Sequence, residues 1–137
     1  SSSNSATAGT VGGNINLVAP TTILNQSAII SQTTGAARSG DLIITSPLGI
    51  QVNGRNPAAN NFGGFLTRTD GSGNSGNIGI ASVSGAVVLQ DGAQISAITR
   101  NSGQAGNVSV NANQVSLQGG AGIYANTDGT GNAGTVT

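Results

Sequence analysis

The chain has no Cys, His, Lys, Glu or Trp. Without cysteine, neither a disulfide staple nor a thiolate metal site can form. Without His, Cys, Glu and Lys, the commonest general bases and nucleophiles are gone. Charged residues make up 6% of the chain, against about 25% in ordinary globular domains. The solvated face of an α-helix normally carries many Lys and Glu, so their absence argues against an α fold. Aromatics are only 2%, too few large side chains for a thick core. Formal net charge is zero, from four Arg and four Asp, which disfavours a partner that binds through phosphates. There is no apolar run of about 20 residues to cross a membrane as a helix and no signal-peptide pattern. The chain opens on Ser1 and stops inside a repeat at Thr137, and so reads as a window from something longer.

What is present is small and polar. Glycine supplies 23 of 137 residues, with Ser, Asn, Thr and Ala filling much of the rest. Disordered chains are poor in Val, Ile and Leu; here the aliphatics are regularly placed. The length suits one domain, and a thin core repeated along an axis suits these side chains.

Self-similarity is the main signal. A Gly, an Asn or Asp, and an alternating apolar pair occur at Gly13-Asn14-Ile15-Asn16-Leu17. The pattern returns at Gly40-Asp41-Leu42-Ile43-Ile44, Gly76-Asn77-Ile78-Gly79-Ile80 and Gly106-Asn107-Val108-Ser109-Val110, and begins again at Gly134. A second apolar pulse is expected at Thr21/Ile23, Ile50/Val52, Val87/Leu89 and Val115/Leu117. A third starts at Ile29, Phe65, Ile95 and Ile123, followed four positions later by Thr33, Thr69, Thr99 and Thr127.

Period-two alternation means strands with one buried face. Three short strands per repeat predict an all-β solenoid, a parallel β-helix of about four to five coils starting near 13, 40, 76, 106 and 134. Coils would stack about 4.8 Å apart, so equivalent residues would form columns. Ile15/Leu42/Ile78/Val108/Val136 and Leu17/Ile44/Ile80/Val110 are expected inside. Asn14, Asp41, Asn77 and Asn107 are expected as a polar column that satisfies backbone groups at a corner. Residues 1–12 form a Ser/Gly-rich segment at the end of a preceding coil, and 13–137 carry the repeats. Parallel crossovers are generally right-handed.

These residues resemble the repeats of the filamentous-haemagglutinin-like exoproteins of two-partner secretion, particularly the large cyanobacterial ones. Asn77-Ile78, Val88-Leu89-Gln90-Asp91-Gly92, Ile95-Ser96-Ala97 and Ala105-Gly106-Asn107-Val108 carry the likeness, which covers about residues 13–137. The N-terminal secretion domain of that family is not evident. The resemblance implies a right-handed β-helix, export through an outer-membrane partner, and a role in adhesion, aggregation or surface matrix.

Few candidate sites emerge, and no catalytic, cofactor-binding or metal-binding residue is expected. Asp70, Arg100 and Asp128 fall in one column, with the two carboxylates about 10 Å apart. A guanidinium between them favours ionisation, the wrong direction for a general acid. Asp70-Gly71-Ser72-Gly73-Asn74 and Asp128-Gly129-Thr130-Gly131-Asn132 are similar to Gly/Asp calcium loops but lack dense acidic ligands; turn chemistry explains them as well. The Thr33/Thr69/Thr99/Thr127 ladder shares the parity of the buried Ile column, which predicts that it points inward or turns a corner. The second repeat is longer by about eight residues, all within 53–63. That insertion, through Arg55, Asn56, Asn60, Asn61 and Phe62, is the candidate partner-contact loop; a neutral length variant is the competing reading.

The expected function is therefore a non-enzymatic shaft segment of a secreted extracellular fibre or adhesin-like surface protein. Its expected partners are further copies stacked end to end, or a longer parent chain, with a cell-surface or polysaccharide contact and no nucleic acid or membrane insertion. The alternative is a carbohydrate or cell-surface binding module, and after it a polysaccharide-active enzyme. Exposed aromatics would favour the binding module, but Tyr124 is the only Tyr and there is no Trp.

Overall fold

The computed structural model describes residues 11–56 and 61–137. Every element in it is a strand. The first repeat contributes β1 (Ile15–Val18), β2 (Thr21–Asn25) and β3 (Ala28–Thr33). The second contributes β4 (Leu42–Thr45), β5 (Gly49–Asn53), a hairpin of β6 (Arg55–Asn56) and β7 (Asn61–Phe62), and β8 (Gly64–Thr69). The third contributes β9 (Ile78–Gln90) and β10 (Gln94–Thr99), and the fourth β11 (Val108–Leu117) and β12 (Gly122–Thr127).

Pairing is parallel from repeat to repeat, apart from the antiparallel β6–β7 hairpin, and keeps one register along each side, with a shift in the β9–β11 pair between Ala112 and Gln114. Ile15 pairs with Leu42, Leu42 with Ile78 and Ile78 with Val108; a bridge carries the column on to Val136. The third set runs Ile29, Phe65, Ile95 and Ile123. Parallel strands in curled sheets, each repeat laid on the one before, are compatible with a β-solenoid.

Register alone makes the core. An in-register parallel pair places equivalent residues at the same depth, so each inward position becomes a column. Leu42, Ile44, Ile50, Val52, Phe65, Ile78, Val87, Leu89 and Ile95 are buried together. The central repeats are sealed most completely, whereas several inward aliphatics of the first and fourth, among them Leu17, Leu24, Ile29, Val110 and Ile123, are only partly covered.

Two expectations need correction. In the first repeat the inward pair of the second pulse is Thr22/Leu24, not Thr21/Ile23: Thr22 pairs with Ile50 and Leu24 with Val52. Ile23 is 67% exposed. The cause is the corner before β2, which is one residue shorter than the one before β5, so the parity flips. Thr22 compensates for its buried hydroxyl with a 2.5 Å hydrogen bond to the hydroxyl of Ser46. Nor do all repeats have three separate strands. β9 and β11 run through the first corner as single bent strands, whereas Pro20 and Pro47, lacking a backbone N–H, interrupt the first two repeats there.

Candidate functional site

The most built polar feature lies at the corner that opens each repeat. Glycine is required there by close stacking. A Cβ on Gly76 would sit 2.1 Å from the Gly40 carbonyl oxygen, and one on Gly106 would sit 2.0 Å from that of Gly76. The next residue reaches across the layers. Asn14 Oδ1 accepts the backbone N–H of Asp41 at 2.8 Å, and Asp41 Oδ1 that of Asn77 at 2.7 Å. Asn77 Oδ1 then accepts from Asn107, and Asn107 Oδ1 from Thr135, each at 2.9 Å. Asn14, Asp41, Asn77 and Asn107 thus come together as one ladder from side chain to main chain. The direction of these bonds was not legible in the sequence. Asn and Asp share an acceptor oxygen at one length, which explains why either serves.

Asp41 is the one charged rung. Partial burial raises its pKa, but the hydrogen bond from Arg38, the Asn77 N–H and the Arg38 charge outweigh that and hold it below the ordinary carboxylate range. Beside the ladder runs a groove of about 260 Å3. It is lined by Arg38, Asn74, Ser75, Asn77, Gln104 and Asn107, together with Gly and Ala residues. Asn74 Oδ1 accepts the Gln104 N–H at 2.9 Å, a bond of the same kind between neighbouring repeats.

The threonine column is internal. Thr33, Thr69 and Thr99 are fully buried. Thr33 Oγ1 donates to the Ala37 carbonyl at 3.0 Å and lies 3.2 Å from Thr69 Oγ1. Thr69 and Thr99 bond the carbonyls of Asn74 and Gly103, and Thr99 Oγ1 is 3.1 Å from the partly covered Thr127. The column ties the last strand of each repeat to the turn that follows it.

Asp70 gathers more partners than its column suggested. Arg68 Nε donates to it at 2.6 Å and Gln32 Nε2 at 2.6 Å, while Arg100 Nε stands 3.8 Å away. Burial raises its pKa, and Arg68, Gln32 and Arg100 lower it further than that. Gln32 and Arg68 are readable from the sequence as one outward column beside the threonines, but their approach to Asp70 is not, because it depends on side-chain reach between neighbouring strands. Asp128 follows β12 in the same column, where its N–H donates to the Thr99 carbonyl. Among the described residues no three His, Cys, Asp or Glu side chains converge on one point.

The insertion leaves the stack as a hairpin. Arg55 pairs with Phe62 and Asn56 with Asn61, and the Gly63 N–H donates to the Gly54 carbonyl at 2.5 Å, closing the neck. Asn60 lies outside the described residues, and for Arg55, Asn56, Asn61 and Phe62 the backbone pairing alone is described.

Compared with protein-family models, curated proteins and solved structures, the chain matches none of them.

Proposed function

We propose that this chain is a shaft segment of a secreted extracellular fibre or adhesin-like surface protein, of the filamentous-haemagglutinin-like kind. In this reading each repeat is one coil of a right-handed, three-sided parallel β-helix. The single observation that carries the proposal is the unbroken column, from Ile15 through Leu42, Ile78 and Val108 to Val136. A structure whose every layer repeats the last can be extended without changing its cross-section. Hydrogen bonds along the axis then give stiffness, and sparse charge leaves little for salt or moderate pH to disrupt. The work is mechanical rather than catalytic, and units meet end to end or continue within a longer parent chain.

Negative-stain electron microscopy tests this. Long, thin, unbranched fibres are expected at high protein concentration or from a chain with more repeats. Short discrete particles under both conditions would contradict it.

A second reading, a carbohydrate or cell-surface binding module, is favoured by one observation: the groove walled by Asn74, Asn77, Gln104 and Asn107. Titration with a panel of soluble oligosaccharides separates the two, since the shaft reading needs no ligand.

A further inference from the structure

The asparagines that line the groove at the opening corner all have their side-chain oxygens engaged. A backbone N–H can bond only to the oxygen of an amide side chain, so each such bond also fixes which way the amide is turned. Asn74 Oδ1 accepts from Gln104, Asn77 Oδ1 from Asn107, and Asn107 Oδ1 from Thr135, each at 2.9 Å. What these amides offer outward is therefore Nδ2, a donor. Asn74, Asn77 and Asn107 are exposed, and among the described residues no partner takes up their Nδ2 hydrogens.

The backbone acceptors of the groove are engaged as well. The carbonyls of Asn74, Asn77, Gln104 and Asn107 accept from Ser39, Leu42, Ser75 and Ile78 of the neighbouring repeats. The Ser75 hydroxyl is buried and turned to Thr67. Arg38 can only donate, and its charge is matched by Asp41. Gln104 is the one lining amide whose side-chain oxygen is not engaged. A groove of about 260 Å3 thus presents hydrogen-bond donors almost exclusively, with little net charge.

We propose that this groove binds a uronate polysaccharide, its carboxylates taken by the Nδ2 groups of Asn74, Asn77 and Asn107. The inference rests on the second reading above, the carbohydrate or cell-surface binding module, and names its ligand. An ionised carboxylate only accepts, as a donor-lined surface requires. Neutral sugar hydroxyls can accept the same hydrogens, but a bond with one charged partner is roughly twice as strong. An acidic peptide fits less well. It would bring a fixed N–H at every residue to a groove whose acceptors are engaged, whereas a sugar hydroxyl accepts and turns its own hydrogen to solvent. Asn77 and Asn107 lie one layer apart, about 4.8 Å, so a chain laid along the stack meets donors in succession. Nucleic acid is opposed by the lack of a basic patch.

Isothermal titration calorimetry with galacturonate oligomers, cello-oligosaccharides of equal length and oligoglutamate tests this. Galacturonate oligomers should bind roughly tenfold or more tighter than the other two. The deciding variant combines Asn74→Asp and Asn107→Asp. Each change keeps an oxygen for the neighbouring N–H, as Asp41 does in the same column, and replaces the outward donor with an acceptor. Galacturonate binding should weaken by roughly tenfold or more while the melting midpoint stays as it was. Asn113→Asp with Asn126→Asp adds the same two charges outside the groove and should leave binding unchanged. Full binding by the groove variant, an equal loss in the control pair, or oligoglutamate bound as tightly would overturn the proposal. Equal binding of cello-oligosaccharides would overturn it and leave the binding-module reading standing. No binding of either sugar would overturn both.

Discussion

Asn77 Oδ1 accepts the backbone N–H of Asn107 at 2.9 Å, joining residues thirty positions apart at the same corner of successive repeats. A side-chain amide here does what a strand partner does elsewhere, satisfying a main-chain donor beyond the end of the sheet. Asn77→Ala removes the acceptor and leaves that N–H to solvent, which should cost about 1 kcal/mol. Asn113→Ala, at an exposed corner with no such bond, should stay within about 0.5 kcal/mol. Urea denaturation of the two variants makes the comparison.

The two glycines of opposite environment should respond with opposite signs. Gly79 faces open space in the middle of β9, so Gly79→Ala should stabilise by about 0.4–1 kcal/mol through the unfolded chain. Gly64 has φ +139°, and a Cβ there would lie 1.8 Å from the Gln94 carbonyl oxygen. Gly64→Ala should cost roughly 2 kcal/mol or more. Thermal melts of both variants against the parent chain decide it.

The side-chain parity of β2 can be tested directly. Ile23→Lys places the charge in solvent and should change stability by less than about 0.5 kcal/mol. Leu24→Lys drives it toward the Val52 and Leu89 column and should cost roughly 2 kcal/mol or more. The reverse order in a denaturation experiment would restore the Thr21/Ile23 assignment.

That comparison also marks what was legible beforehand. The inward columns of the first and third strand positions could be read because in-register stacking gives equivalent residues one depth, leaving Ile, Leu, Val and Phe at fixed offsets. β2 could not be, because its parity depends on corner length, and Pro20 and Pro47 sit in corners of different size. The ladder was visible as a column of Asn and Asp, but its bond direction needed coordinates. The Asp70 cluster was half visible: Arg100 shares its column, whereas Gln32 reaches it from 38 residues away.

Acid should weaken the fold only at low pH. Asp41 and Asp70 are partly buried, which works against ionisation, yet their donors hold both pKa values below the ordinary Asp value. A carboxyl depressed in the folded state contributes stability that is fully present above its unfolded pKa of about 3.9. That contribution is lost as pH falls through the folded pKa. With no His and no Cys, the urea midpoint should be flat from about pH 5 to pH 8 and fall below about pH 4. Arg68→Gln should shrink the acid loss, since Arg68 is the main donor to Asp70. A midpoint that moves between pH 5 and pH 8 would contradict this.

The central claim is that identical layers stack in register along one axis to make a shaft. X-ray diffraction from an oriented specimen tests that claim most directly. A sharp reflection near 4.8 Å is expected along the long axis of the particles, because the strands of every layer lie across it. A 4.8 Å spacing perpendicular to that axis, or no oriented strand spacing at all, would contradict the account.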